Sequence, residues 1–359
     1  MGENNLILTL DAGGTNFAFI AIENGKIIDE PILKKSVIDD LSFCLQTIIE
    51  GFTQLIKKVG KKPRAISFAF PGPADYINGV IGDLGNLPCF RGGVALGPLL
   101  EEHFRVPVFI NNDGDLFTYG EARAGLLLEL NNILKKKGIP KEYKSLFGIT
   151  LGTGLGGGIV IDNKLCRGEN SAAAEIWLLR NFENIETTAE EGVSIRAIKK
   201  YYSDLSGEVQ ELSPLEIYEI AKKRRSGNTA AALQAYKMLG KVLAESIANI
   251  ITILDCPIVI GGGICGAADL ILPEILLNLN GEIIGQNGQK IPRLISKVYN
   301  VGESFPEEFI KEQGVSVDVP FKNKMATYNL RKRNFLGISF LGTNRAVGLG
   351  AYYYAIDNL

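Results

Sequence analysis

The sequence is poor in the side chains that most often carry acid–base or metal chemistry. Its 359 residues include one histidine, His103, and one tryptophan, Trp177. Catalytic triads, His-ligated metals and most imidazole bases need a well-placed histidine. His103 ends an amphipathic helical pattern, Leu99–Phe104, so a structural role at the surface is its simpler interpretation. We therefore expect carboxylates, glycine backbone and a bound metal ion to carry any reaction.

Cysteine pairs and net charge are also lacking. The five cysteines are odd in number and form no Cys-x-x-Cys pair, which argues against a disulfide framework or a zinc knuckle. Lys plus Arg number 38 and Asp plus Glu 40, a net charge of -2. Without an overall positive field to gather phosphate backbones, nucleic-acid binding is not expected.

No apolar run has the roughly 18 to 20 residues that a membrane helix needs. The best candidate, 247–260, is interrupted by polar residues and by Pro257. The first residues show no basic, apolar targeting signal, and Leu6 stands where a myristoylation motif has serine or threonine. These features predict a cytoplasmic protein with no membrane partner, and the 46% hydrophobic content predicts packed cores.

Glycine, in contrast, is abundant, and its excess follows short apolar runs. The 41 glycines cluster at Gly13-Gly14, Gly152–Gly158 and Gly261–Gly263, where turns are predicted. The strand-and-turn pattern of Leu8–Gly13 returns in Ile149–Gly154, about 140 residues later, which indicates an internal duplication. The pattern predicts an α/β fold of two similar halves, each opening with a glycine-turned hairpin.

This duplication also predicts domain boundaries. We expect an N-terminal α/β lobe of residues 1–112 plus 345–359 and a larger C-terminal α/β lobe of residues 113–344. The larger lobe would carry an insertion at about 281–333, whose basic stretch is more simply a solvated face than a binding patch. Helical periodicity predicts helices over 39–59 and 113–124, and one continuous helix over 190–202.

A carboxylate and a glycine turn stand together at the end of the first predicted strand. Asp11 is followed by Gly13, Gly14 and Thr15, and the amides of such a turn can form a nest for an anion. Asp11 would repel a phosphate in direct contact, so Mg²⁺ or its water shell would lie between them. An ordinary tight turn is the alternative.

The two later glycine clusters suit other parts of a nucleotide. The run Gly152–Gly158 lacks a Walker lysine, and a strand and turn follow it where a Rossmann fingerprint needs a helix. It is typical of a second phosphate hairpin, to which the Thr153 hydroxyl adds a donor. Gly261–Gly263 ends a strand where a helix begins, a place where backbone can pack against a base and ribose.

Asp113 follows the predicted strand 106–110 and starts a helix. Its carboxylate could cap that helix or act as a general base. Phosphoryl transfer to an alcohol needs a carboxylate that accepts the hydroxyl proton, a metal ion across the nucleotide phosphates, and backbone donors around the transferred group. Asp113, Asp11 and the two hairpins would supply this set.

In this order along the chain, the motifs resemble the ROK family of sugar kinases and sugar-responsive repressors, within the actin, hexokinase and Hsp70 ATPase superfamily. The resemblance covers most of the chain and rests on Asp11–Asn16, Phe70–Asp75, Gly85–Pro88, Asn112–Glu121, Gly152–Gly158 and Gly261–Gly263. It implies two RNase-H-like lobes around an interlobe cleft. It also implies an ATP- and Mg²⁺-dependent kinase of a hexose or hexose derivative, assembled as a dimer or tetramer.

The resemblance further implies roles for individual residues. Asp113 would be the base, and Asn112 would hydrogen-bond a neighbouring sugar hydroxyl. The nucleotide and its Mg²⁺ would be held by Asp11, Gly13, Gly14, Thr15, Gly152, Thr153, Gly154, Gly261, Gly262 and Gly263. Further sugar contacts would come from Gly72, Asn86, Glu175 and Glu190.

The chain departs from the family pattern near the two glutamates. Trp177-Leu178 stand where the family usually has Gly-His, and Asn181–Thr188 replace the Cys-rich zinc segment before Glu190. No zinc site is therefore expected, and the preferred sugar can differ from the glucose or acetylamino sugars common in the family. For Trp177, a core position is a simpler interpretation than stacking on a sugar face.

Two alternatives to a kinase remain open. The family's repressors carry a winged DNA-binding domain before the first phosphate motif, and the ten residues before Asp11 leave no room for one. The second alternative is a sugar-binding or regulatory protein that has lost turnover, motivated by the missing zinc segment.

Overall fold

The computed structural model describes residues 5–12, 16–37, 39–84, 87–139, 141–207, 211–302, 314–328 and 332–359. Within these ranges every helix is either too short or too polar to serve as a membrane span.

Strands occur throughout these ranges. In chain order they are β1 (Leu6–Ala12), β2 (Asn16–Glu23), β3 (Lys26–Ile27), β4 (Ile32–Lys35), β5 (Ala65–Ala69), β6 (Ala74–Asp75), β7 (Val80–Ile81), β8 (Val108–Asn111), β9 (Leu146–Leu151), β10 (Leu155–Ile161), β11 (Lys164–Leu165), β12 (Ile258–Gly261), β13 (Glu282–Ile284), β14 (Lys290–Pro292), β15 (Ser296–Asn300), β16 (Val315–Asp318), β17 (Met325–Tyr328) and β18 (Lys332–Ile338).

Helices connect these strands and close the described chain. They are α1 (Leu41–Val59), α2 (Leu96–Phe104), α3 (Asp113–Ala124), α4 (Leu126–Lys136), α5 (Glu190–Val193), α6 (Ile195–Ser206), α7 (Pro214–Ala221), α8 (Thr229–Leu254), α9 (Ala268–Leu279) and α10 (Thr343–Asn358), with short 3₁₀ turns at Ile176–Leu178 and Gly263–Ala267.

The chain forms two compact units. The first comprises Met1–Gly125, Gly157–Ala174 and Leu341–Leu359, and the second Leu126–Gly156 and Glu175–Phe340. The first unit therefore extends past the boundary predicted at 112 and begins its last segment before 345. The reason is that α3 packs against α10, with backbones in direct contact. A Cβ on Gly120 would lie 1.9 Å from the Ala346 carbonyl oxygen, and one on Gly350 would lie 1.8 Å from that of Leu116.

A mixed sheet organises the first unit, in the order β3-β2-β1-β5-β8 with β4 beside β2. β1 is antiparallel to β2 and parallel to β5, which is parallel to β8. Leu6, Leu8 and Leu10 pack with residues of α1, whereas Ile7 packs with Tyr352 of α10. Both faces of β1 are thus covered, and the carboxyl ends of β1, β5 and β8 lie at one edge of the sheet.

The other six-stranded sheet has the order β11-β10-β9-β12-β18-β15. β12 is parallel to β9 and to β18, and β15 is parallel to β18. Part of the stretch 281–333, predicted as an insertion, belongs to this sheet. It includes the strand β15, where Val298 and Tyr299 are buried. Two hairpins of the same stretch, β13–β14 and β16–β17, form separate two-stranded sheets.

Local sequence explains most helix ends. Asp40 caps α1 by accepting the Phe43 N–H at 2.9 Å, so the helix predicted over 39–59 is confirmed. The continuous helix predicted over 190–202 is wrong. Ser194 is extended there, with ψ 174, and its side chain accepts the Ala197 N–H to cap α6. Serine can cap a new helix, and the apolar residues on either side of Ser194 keep their helical spacing. The periodicity alone therefore does not show that the helix is broken there.

Candidate active site

A cavity of about 320 Å³ lies in the first unit, where β1, β5 and β8 end. Its wall brings together four residues predicted from the sequence: Asp11, Gly72, Asn112 and Asp113. Asp11 lies near the end of β1, Gly72 follows β5, and Asn112 and Asp113 follow β8. The carboxyl edge of such a sheet is the usual place for a ligand in α/β proteins.

Asn112 and Asp113 make different contacts at the start of α3. Asn112 is the N-cap, with its Oδ1 accepting the Gly114 N–H at 2.8 Å. Its Nδ2 donates to the Tyr76 hydroxyl at 3.4 Å, which in turn donates to the Phe70 carbonyl at 3.1 Å. The alternative that Asp113 caps the helix is therefore wrong, since that position belongs to Asn112.

The Asp113 carboxylate is exposed in the cavity wall. Its Oδ1 accepts the Gly114 N–H at 2.9 Å, and among the described residues no hydrogen bond engages Oδ2. One oxygen is thus oriented by the helix start while the other can receive a proton from a bound hydroxyl, the geometry that a general base requires.

Asp11 has a different environment at the end of β1. Its side chain is exposed, but the cavity atoms that cover part of it raise the pKa of its carboxyl, because desolvation disfavours the charged form. No ion pair to Asp11 occurs among the described residues. A partly desolvated carboxylate without a cation partner suits Mg²⁺, which usually takes one or two protein carboxylates and completes its shell with water and phosphate oxygens.

Other ligands for a metal are few. Across the described ranges, no group of three or more His, Cys, Asp or Glu side chains is arranged to hold a metal ion.

Sequence reasoning missed the part of this cavity that α10 forms. Thr343 and Asn344 line it at the start of α10, followed by Val347 and Gly348, whereas the predicted boundary of the last lobe segment falls at residue 345. The sequence Gly342-Thr343-Asn344, a glycine followed by two residues that often precede helices, is the signal that could have found them. Four predicted residues, Gly13, Gly14, Thr15 and Asn86, lie outside the described residues.

In the second unit, residues 152–156 of the second glycine cluster lie close to the third cluster. Residues 152–154 form the turn between β9 and β10, closed by a bond from the Gly152 N–H to the Gly154 carbonyl at 3.0 Å. The predicted hairpin is confirmed, because strand and not helix follows it. Gly262, with φ +101, comes so close to β9 that a Cβ would lie 2.1 Å from the Leu151 carbonyl oxygen. Gly261 is paired with Thr150.

The two predicted sugar-side glutamates have separate partners. Glu175 is exposed, and its carboxylate accepts the Trp177 indole N–H. Trp177 is 38% exposed, so its predicted core position is wrong: in the 3₁₀ turn 176–178 only Ile176 is buried. Glu190 instead accepts the Leu155 N–H at 3.0 Å and pairs with Arg196, also at 3.0 Å. Arg196 had not been singled out from the sequence.

The chain resembles known proteins over most of its length. The ROK family model matches residues 7–298, so the chain belongs to the ROK family. The predicted ATPase-type α/β fold is confirmed. A crystal structure of glucokinase from Parabacteroides distasonis ATCC 8503 shares 46% identity with a TM-score of 0.91, over 100% of this chain and 99% of that one.

Two curated relatives show the range of the family. A glucokinase of Streptomyces coelicolor is 24% identical over 318 residues, 81% of this chain and 92% of that protein. A xylose repressor of Caldicellulosiruptor bescii is 26% identical over 311 residues, 80% of this chain and 71% of the repressor. Kinases and a repressor thus both resemble the chain.

Proposed function

We propose that this protein is an ATP:sugar phosphotransferase, which transfers the terminal phosphoryl group of ATP to a hydroxyl of a hexose or hexose derivative. The observation that carries the proposal is the placement of Asp113, with one oxygen unengaged by the described residues, in the same cavity wall as Asp11. The 46% identity to a glucokinase supports the same reaction and makes glucose the first sugar to try.

In the proposed mechanism, Asp113 accepts the proton of the attacking sugar hydroxyl. The Gly114 N–H, which donates both to the Asn112 cap and to Asp113, holds the carboxylate in place while the proton moves. Asp11 would hold Mg²⁺, directly or through water, and the ion would supply positive charge that offsets the charge of the nucleotide phosphates. Developing charge on the transferred group is met by preorganised backbone donors, which need no rearrangement during the reaction.

The remaining proposed contacts follow the glycine clusters and the sugar-side loops. Phosphates would be bound by Gly13, Gly14 and Thr15 and by Gly152, Thr153 and Gly154, and the adenosine by Gly261, Gly262 and Gly263. The sugar would contact Gly72, Asn86, Asn112 and Glu175, and family resemblance adds Glu190.

The deciding experiment is an ADP-coupled screen of free hexoses, N-acetylhexosamines and ketoses with Mg²⁺ present. We expect ADP release that depends on one class of sugar and ceases when Mg²⁺ is chelated. The similarity to a xylose repressor motivates a parallel assay of sugar binding by thermal shift. Binding of a sugar without ADP release from any sugar would favour a regulatory protein, and a salt-dependent shift of duplex DNA would favour a repressor.

Trp177 offers a prediction about the sugar side. Trp177→Phe keeps an aromatic ring but removes the indole N–H that the Glu175 carboxylate accepts. Because Glu175 loses this orienting hydrogen bond, we expect KM for the sugar to rise about 3- to 10-fold, the net worth of one ordinary hydrogen bond at an exposed site, while KM for ATP stays within twofold. Steady-state kinetics with each substrate varied in turn measure both values.

The control for this prediction is Leu178→Ala, which alters a neighbouring side chain of the same turn that is also exposed. A sugar KM that is equally changed in both variants, or unchanged in Trp177→Phe, would contradict a role for the indole in the sugar site.

A further inference from the structure

The second phosphate hairpin is held by a segment that follows it by about forty residues in the sequence and contacts it closely. Glu190, the first residue of α5, places its Oε2 3.0 Å from the Leu155 N–H, at the point where the hairpin turn becomes β10. The Ile195 N–H donates to the Gly152 carbonyl at 3.0 Å, at the other side of the turn. Both arms of the turn are therefore bonded to residues 190–195.

Arg196 adds a third connection and links it to the first. Its Nη1 donates to the Thr153 carbonyl at 3.4 Å, at the tip of the turn. Its Nη2 donates to Glu190 Oε1 at 3.0 Å. The Glu190 carboxylate thus has one oxygen on the hairpin backbone and the other on a guanidinium that itself contacts the hairpin.

The fit around this carboxylate is close. A Cβ on Gly154 would lie 2.5 Å from Glu190 Oε2, nearer than two such atoms approach. The absence of a side chain at position 154 is therefore explained by the glutamate as well as by the approach of a phosphate. The Glu190 carboxylate fills the space that a side chain at position 154 would need.

Charge makes the arrangement unusual for a loop that binds an anion. Glu190 and Glu191 bring two negative charges to the hairpin, which would repel a nucleotide phosphate. Arg196 pairs with both carboxylates, each at 3.0 Å, and these hydrogen bonds raise the pKa of its guanidinium. The arginine therefore offsets the charge of the glutamates that flank the proposed phosphate site.

We propose that Glu190 and Arg196 are positioning residues of the phosphotransfer site, which hold the hairpin 152–155 in the conformation that receives the nucleotide phosphates. The inference rests on the proposed function. It gives Glu190 a nucleotide-side role beside the sugar contact that family resemblance implies. One carboxylate oxygen accepts the Leu155 N–H and the other pairs with Arg196, so the loss of Glu190 is expected to weaken the binding of ATP.

The test compares variants of the full-length protein. Glu190→Ala removes both connections, Glu190→Gln keeps one acceptor for the Leu155 N–H, and Arg196→Gln leaves Glu190 in place without its cation. The matched control is Glu191→Gln, because Glu191 pairs with the same arginine at the same distance but makes no hydrogen bond to the hairpin among the described contacts. Arg196 is exposed, so its variant keeps the test valid if Glu190→Ala folds poorly.

We expect KM for ATP to rise about 5- to 20-fold in Glu190→Ala and Arg196→Gln, in line with the loss of charge-assisted hydrogen bonds. The rise should be smaller in Glu190→Gln and under twofold in Glu191→Gln, with KM for the sugar within twofold in Arg196→Gln and Glu191→Gln. Hydrogen exchange should show faster exchange of the Leu155 amide in Glu190→Ala than in the wild type, with or without nucleotide.

Two results would overturn the proposal. One is a raised sugar KM with an unchanged ATP KM in Glu190→Ala, which would return Glu190 to the sugar site. The other is unchanged exchange of the Leu155 amide in that variant. Failure of the proposed function has a different signature: the wild type itself would bind no Mg-ADP by calorimetry, whereas the exchange measurement would still report on the hairpin.

Discussion

Replacing Asp113 by asparagine is expected to lower kcat by about 10²- to 10⁴-fold while sugar affinity stays close to that of the wild type. An amide cannot accept the proton of the attacking hydroxyl, but it has nearly the same shape and can still accept the Gly114 N–H, which now lies 2.9 Å from Oδ1. The helix cap is unaffected, because Asn112 supplies it. Single-turnover kinetics with saturating Mg-ATP measure the chemical step, and calorimetry measures sugar binding.

A matched control is Asp40→Asn. Asp40 is also exposed and also accepts a backbone N–H at the start of a helix, from Phe43 at 2.9 Å, but it does not line the cavity. Asparagine is as good a cap as aspartate, so this variant should turn over at the wild-type rate. Near-normal turnover in Asp113→Asn would remove the general base from the mechanism.

The parts of the site that the sequence predicts are those encoded by short segments. Asp11 comes directly after an apolar run and Asp113 follows another after two asparagines, and a carboxylate near a strand end is visible from local pattern alone. The strand after Gly152–Gly158 is likewise local, which separates a hairpin from a Rossmann turn. The choice of Asn112 over Asp113 as the cap is not local in this sense, since both residue types cap helices and only the backbone geometry decides.

Contacts between distant segments could not be predicted in this way. β15 and β18 join a parallel sheet through partners far apart in the chain, and two exposed hairpins obscure their pattern. The link from Glu190 and Arg196 to Leu155 and Thr153 depends on how α5 and α6 pack beside β9 and β10. The sequence spacing does not show that these residues lie close together, so the sequence points to Glu190 only through a resemblance to a sugar-contacting glutamate and does not point to Arg196.

Asp11→Asn is expected to lower kcat/KM for ATP by about 10²-fold or more, because the cavity loses the charge that would hold Mg²⁺. Unlike a loss of the base, this defect should respond to the metal: the dependence of the rate on Mg²⁺ concentration should shift to higher concentrations. Kinetics at several Mg²⁺ concentrations measure the shift. An Asp11→Asn variant with wild-type Mg²⁺ dependence would place the metal elsewhere.

The same substitution is expected to raise Tm slightly near pH 7 while it lowers activity. Desolvation raises the pKa of Asp11 in the folded state above its unfolded value, so at neutral pH the ionised carboxylate costs the folded state free energy that the neutral amide does not. As pH falls through the raised pKa, the folded protein takes up the proton and the cost disappears. Below about pH 4, where the unfolded carboxyl is also protonated, the two proteins should melt alike.

Mg-ADP should stabilise the wild type more than the variant, because only the wild type gains a cation for its carboxylate. A variant that is less stable than the wild type at pH 7 would show instead that Asp11 has a stabilising partner in the ligand-free protein.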